Sequence, residues 1–308
     1  MKYISVALVV VLLATACEKD ITVKVPAQPP KLVVNGIINM GNPFRVSVGK
    51  TAGILDLPTQ DSYRVTNALV QLYENGTLRD TLVYNANNDV YRVKNNTLAQ
   101  TGNTYRIQVT APGFITVEAL TVAPSTIAIQ SITRRINAKT DANGNMLDEV
   151  KITFRDDAAA TNYYLFKFRQ AAGLSGNTVE YTNMYYCLHS SDKDIDRRNN
   201  DDPTDFESCL DEEFFMQDKN FNGSTKELLV FVDHKALEPY RHPSNNRVYR
   251  PVVELNSITA DHYKYRKSFN AYRDSEDNPF AEPVLVFGNV KNGYGVFSTY
   301  SVARDSIR

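Results

Sequence analysis

What the chain lacks sets the first limits. It has no tryptophan, three cysteines and four histidines among 308 residues. Without tryptophan, the aromatic platform that most often receives a sugar ring is disfavoured. His189, His234, His242 and His262 lie far apart and form neither an HExxH motif nor an i, i+4 pair, which removes the common helical zinc sites. There is no CxxC, no phosphate-cradling glycine loop, no DNA-reading motif and no internal repeat. The Gly-Leu-Ser-Gly-Asn stretch around Ser175 lacks the spacing of a nucleophile elbow and reads as a turn. Charge is balanced too, with 34 basic against 35 acidic side chains, so no cationic surplus points to nucleic acid or to an anionic bilayer.

The apolar run from Ile4 to Ala14 falls well short of the ~20 residues that a spanning helix needs. Lys2 precedes it, and the small residues Ala14, Thr15 and Ala16 follow, the pattern of a cleavable export signal over residues 1–16. Cys17 comes directly after them. A bacterial lipobox requires a thiol at that place, because sulfur is the nucleophile that takes the diacylglyceryl group; cleavage then frees the Cys17 amine for a further chain, such as a palmitate. Each buried methylene contributes ~0.8 kcal/mol, and two or three chains make attachment stable. Residues 17–30 end in the proline-stiffened ITVKVPAQPP, an extended lipidated tether. Glu18, Lys19 and Asp20 resemble the address that Bacteroidota surface lipoproteins carry after the lipidated cysteine. The expectation is a soluble body held by lipid at the outer membrane, facing the cell surface or otherwise the periplasm.

The abundance of Tyr (18) and Phe (14) favours strands. From Lys31 to Ala123 the chain alternates short strands with turn signals. KLVVNGIIN opens it, NALVQLYENGTLRDTLVY folds back at Asn75-Gly76, and in GNTYRIQVT the residues Tyr105, Ile107 and Val109 alternate with Arg106, Gln108 and Thr110. This block resembles a transthyretin-like or carboxypeptidase-regulatory-like β-sandwich, with Tyr105 buried at a strand corner. Ala123-Pro124 marks a boundary. Residues 124–308 then read as a second β-rich domain with strands at EVKITFRDD, YYLFKFRQ, VEYTNMYYCL, KELLVFVD, VYRPVVEL, PVLVFGNV and GVFSTYSV. One helix is expected near 259–273, capped by Thr259, with His262, Tyr265, Phe269 and Tyr272 as its packing stripe. The fold class is therefore mainly all-β, two sandwiches with one packed helix.

The most polar stretch runs from Asp192 to Glu213, with ten acids against three bases. Asp192, Asp194 and Asp196 alternate as in a calcium loop, although Arg197 stands where an EF-hand needs glycine and Pro203 where it needs glutamate. The alternatives are a Ca2+ site and a solvated loop. Cys187 and Cys209 flank this stretch and are the two thiols left once Cys17 is acylated; they form a disulfide candidate or remain two buried thiols. Adjacent acids such as Asp156-Asp157 and Glu212-Glu213 do not by themselves give carboxylates facing each other across a bond.

HYKYRKSFNAYRD followed by NPFAEPVLVFGNVKNGYGVFSTYS resembles the closing motifs of a Bacteroidota lipoprotein family known as domain of unknown function 4249 (DUF4249). KLVVNGIIN, NALVQLYENG, FRDDAAATNYY and FNGSTKELLVF match in order upstream, so the resemblance spans the mature chain. In that motif Pro279 and Pro283 give an extended strand entry, Phe280 buries against the helix, and Asn292-Gly293 with Gly295 turn a last hairpin. The resemblance brings no catalytic residue and implies a gene neighbourhood of TonB-dependent outer-membrane transporters. The expected role is a non-enzymatic accessory to such a transporter, binding through exposed aromatics and the 188–213 loop. A structural or adhesive surface protein and a hydrolase with a dispersed site stand as alternatives.

Overall fold

The alternation of apolar and polar residues in the first third is realised as seven strands. They are β1 (Leu32–Asn39), β2 (Arg45–Lys50), β3 (Leu69–Glu74), β4 (Thr77–Asn85), β5 (Val90–Arg92), β6 (Thr104–Thr110) and β7 (Val117–Val122). A computed structural model describes residues 28–53, 60–173, 179–184, 186–197, 206, 209–210, 213–276 and 281–308. Beyond β7 come β8 (Ile129–Thr140), β9 (Met146–Arg155), β10 (Tyr163–Gly173), β11 (Val179–Asn183), β12 (Leu188–His189), β13 (Ile195–Asp196) and β14 (Glu213–Gln217). The series closes with β15 (Thr225–Asp233), β16 (Tyr240–Arg241), β17 (Val248–Ile258), the helix α1 (Ala260–Glu276) and β18 (Tyr294–Ser306).

Tyr105, Ile107 and Val109 point inward, as their alternation requires, and are at most 1% exposed. The Tyr105 hydroxyl donates to Glu74 at 2.7 Å and accepts from the Gln100 amide at 2.8 Å, which fixes the corner that follows Gly102. Asn75 and Gly76 take φ of 48° and 85°, closing the β3–β4 hairpin. The sheet then curls until β7 meets the chain again at the Glu118–Lys291 bridge and through Thr121 to Thr299. Edges brought together in this way leave fewer open backbone groups.

The second region is layered. β10, β14 and β17 turn Tyr164, Phe166, Phe168, Phe214, Met216, Val253 and Leu255 toward a four-stranded sheet ordered β12-β15-β9-β8. That sheet answers with Val150, Ile152, Phe154, Leu228, Val230 and Val232, so one dry core lies between two sheets. α1 covers the opposite face.

Three sequence expectations need correction. The domain division at residue 124 does not hold for the C-terminus, because β18 serves both cores. Its first half pairs parallel with β1 and puts Phe297 in the first core, while its second half pairs with β17 and leads to Ile307 in the second. PVLVFGNV is extended but joins no ladder, and Leu285 is 88% exposed. Side-chain bonds do much of the anchoring. Ser268 accepts from the Phe287 amide at 2.8 Å, and Asn289 bonds Asp261 and both backbone groups of Phe297. The chain still reverses at Asn292-Gly293, where the Gly293 amide donates to the Val290 carbonyl at 3.4 Å and the Asn289 amide to the Gly295 carbonyl at 3.2 Å. No hairpin ladder forms, however, and the glycines after Asn292 serve the approach of β18 to β1. Finally, Thr259 does cap α1, accepting from the His262 amide at 3.1 Å, but the stripe is shifted. Tyr272 is exposed and Tyr263 packs on Tyr163 and Phe215, while Arg266 pairs with Glu213 and the exposed Lys267 with Asp196.

Candidate functional site

The lipidation residue Cys17 and the address Glu18, Lys19 and Asp20 lie outside the described residues, as do Ser175 and Phe280. Cys187 and Cys209 are joined, with Sγ atoms 2.04 Å apart across a separation of 22 residues. The link sits beside a short ladder. The Leu210 amide donates to the Leu188 carbonyl at 2.7 Å, and the His189 ring stacks on Phe206 with Nδ1 2.9 Å from the Phe206 carbonyl oxygen. The Lys139 ammonium lies 3.0 Å from the centre of that phenyl ring. This end of the acidic stretch is thus tied into β12 and β15.

The alternating aspartates do not converge. Lys226 reaches in from β15 and places its ammonium 2.8 Å from Asp192 and 2.6 Å from Asp194. Burial pushes the Asp194 carboxyl up, but Lys226 and Asn220 outweigh it and hold it below the usual carboxylate range. Asp196 faces elsewhere, accepting from the Tyr263 hydroxyl and pairing with Lys267 at 2.9 Å on α1. The three carboxylates are divided between two lysines, so the Ca2+ reading of Asp192, Asp194 and Asp196 is corrected: the cation they receive is protein-borne. Among the described residues no group of three or more His, Cys, Asp or Glu could hold a metal.

The other acids and histidines are also engaged structurally. Asp148, fully buried, accepts from Arg134, from the Asn137 amide at 2.8 Å and from His234 at 3.0 Å. Burial raises its carboxyl, but these donors prevail and lower it. Asp156 takes the Tyr164 hydroxyl and the Gly223 amide, while its neighbour Asp157 caps Ala159, so the pair splits at a loop base. Glu213 binds Lys167 and Arg266. His242 accepts from Ser244 in a turn. A nucleophile and base in working contact are not among these arrangements.

A cleft of about 710 Å³ in the first sandwich escaped sequence reasoning. Its walls come from the β1–β2 connection (Asn42, Pro43), from the β4–β5 hairpin, and from the chain after β5 through Asn96. Register explains its floor. Arg45 on β2 lies directly opposite Arg92 on β5, and Arg92 lies opposite Val83 on β4, all three exposed. Lys94 stands two residues further on and also lines the cleft, with Tyr84, Asn85 and Asn88. The lining contains three cations, four asparagines and no acid. In sequence these bases are ordinary single charges in RVSVGK and VYRVK; only the β2–β5 pairing makes them neighbours.

A family model described as Domain of unknown function (DUF4249) matches residues 18–306. No curated protein and no solved structure matches the chain.

Proposed function

Since the chain belongs to the DUF4249 family, we propose that it is a lipid-anchored lipoprotein of the outer membrane, displayed at the surface, that captures or presents a ligand as a non-enzymatic accessory to a TonB-dependent transporter. Anchoring rests on Cys17 behind its small-residue cleavage site, just ahead of the tether. The observation that carries the binding role is the cleft lining. Its groups are amides, guanidinium, ammonium and a phenol, suited to hold a solute, with no histidine, serine, cysteine or carboxylate to activate one. The cleft replaces the 188–213 stretch as the favoured binding surface, since the described acids of that stretch are already paired.

Purification of the native protein from solubilised outer membranes tests this reading. A TonB-dependent transporter should copurify, and intact-mass analysis should show Cys17 acylated at the new N-terminus. An unmodified residue 17, or a protein recovered alone under conditions that keep other outer-membrane complexes together, overturns it.

A further inference from the structure

The cleft carries more than a general binding role. Arg45 and Arg92 occupy directly opposed positions in the antiparallel β2–β5 pair. Side chains so placed have Cβ atoms ~4.5–5.5 Å apart, and like charges there repel. Proteins ordinarily set an acid beside such a pair. Here Arg45, Arg92 and Lys94 form no ion pair with a carboxylate among the described residues, and the cleft they line contains no acid. Asp89, in the hairpin beside the cleft, is already taken by Arg64 at 2.5 Å and by the Tyr84 hydroxyl at 2.8 Å. Within the described residues only water and salt screen this pair, which leaves it open to an anion from outside the chain.

We infer that the Arg45–Arg92 pair, with Lys94, is the recognition point for a small hydroxyl-bearing solute that carries a phosphate, sulfate or carboxylate group. The planar guanidinium fork matches the spacing between two oxygens of such an oxyanion and binds it bidentately, whereas ammonium acts as a point charge. Two forks facing each other across one strand pair can grip one oxyanion from both sides, and Lys94 adds a third charge. The amides of Asn42, Asn85, Asn88 and Asn96 both donate and accept, as hydroxyls require. A volume of about 710 Å³ falls within the ~300–1,000 Å³ of small-molecule sites. Recognition here is led by charge and needs no aromatic platform, which suits a chain without tryptophan. This names the ligand class for the capture role proposed above and rests on that reading for its place in the cell. Its test needs neither membrane nor transporter, so either can fail alone.

Calorimetric titration of the full chain in non-ionic detergent is the experiment, with glucose 6-phosphate, inorganic phosphate and glucose as probes. Phosphatidylglycerol vesicles against phosphatidylcholine vesicles form a further arm for a lipid-borne headgroup. Glucose 6-phosphate should bind at least about tenfold more tightly than glucose, and its affinity should fall with added salt. Arg45→Gln with Arg92→Gln should cost at least about tenfold in affinity, while the ligand-free variant melts above the native protein because the repulsion is gone. Arg45→Lys with Arg92→Lys keeps the charges and should lose affinity for want of the forks; it also serves if the glutamine pair fails to fold. Arg79→Gln, which removes a cation paired with Glu74, should change nothing. Binding confined to phosphatidylglycerol vesicles, and lost in the glutamine pair, assigns the same chemistry to a lipid headgroup. Equal affinity in native and glutamine proteins, or no binding of any anionic probe at millimolar concentration, overturns the inference.

Discussion

His262 shows what one buried side chain can impose. It is 3% exposed under the first turn of α1, edge-on to Tyr300, and its Nδ1 has no hydrogen-bond partner. Burial, and then the Lys167 charge, pull its pKa from 6.5 down to about 3. An unfolded chain therefore takes up this proton near pH 6.5, and the native state resists until about pH 3. The resulting stability is complete above pH 6.5 and drains away as the pH falls, at ~1.4 kcal/mol per unit. His262→Leu should remove that slope. Urea unfolding of both proteins between about pH 7 and about pH 4 should show the native form losing ground to the variant at ~1.4 kcal/mol per unit, carboxylate effects common to both cancelling. Parallel slopes would mean that the imidazole is protonated in the native state. The burial of His262 follows a legible helical period, but nothing local in the sequence reveals that it faces Lys167, 95 positions away.

Among the elements, β18 depends most on a single residue. Gly295 has φ of 105°, and a Cβ there would collide with the Val34 carbonyl oxygen of β1. Gly76 at the β3–β4 turn has φ of 85° with open space around it. Gly76→Ala should cost about 1 kcal/mol, strain alone, and Gly295→Ala about 3 kcal/mol or more, strain plus collision. Chemical denaturation of the two variants measures the difference, and equal costs would deny the close approach. At the stapled segment, Cys187→Ser with Cys209→Ser should cost roughly 3 kcal/mol by loop entropy. Thermal melting with and without reductant checks this: the native protein should drop and the serine variant should not. The Asn75-Gly76 hairpin, the Tyr105 strand and the Thr259 cap were all legible, since each is decided by residues a few positions apart. PVLVFGNV was not. Its composition is that of a strand, but it joins no ladder, and Ser268 and Asn289 hold it by side-chain bonds that no periodicity encodes. The aspartate triad failed likewise, because Lys226 and Lys267 come from other elements.

For the whole molecule, β17, β18 and β1 form an unbroken stretch of sheet that joins the two cores. Ala123-Pro124 was readable as the place where one run of strands ends. The pairing of Val33 with Tyr294 was not, because 261 positions separate them. Since β18 puts Phe297 in one core and leads directly into Ile307 of the other, the two should unfold together. Calorimetry should give one transition, with calorimetric and van't Hoff enthalpies in agreement, and deletion of residues 294–308 should abolish both cores. Two separate transitions would show that the strand is a passive bridge. The parallel alignment also has a mechanical side. Consider a chain held by its first residues and loaded through the layers around β17. Such a load drags β1 toward its start and β18 toward its end, so that seven residue pairs must slide past each other at once. Peeling them singly would require both strands to be tugged from the same end. A fastening loaded in shear hardly gives under modest force and then lets go abruptly.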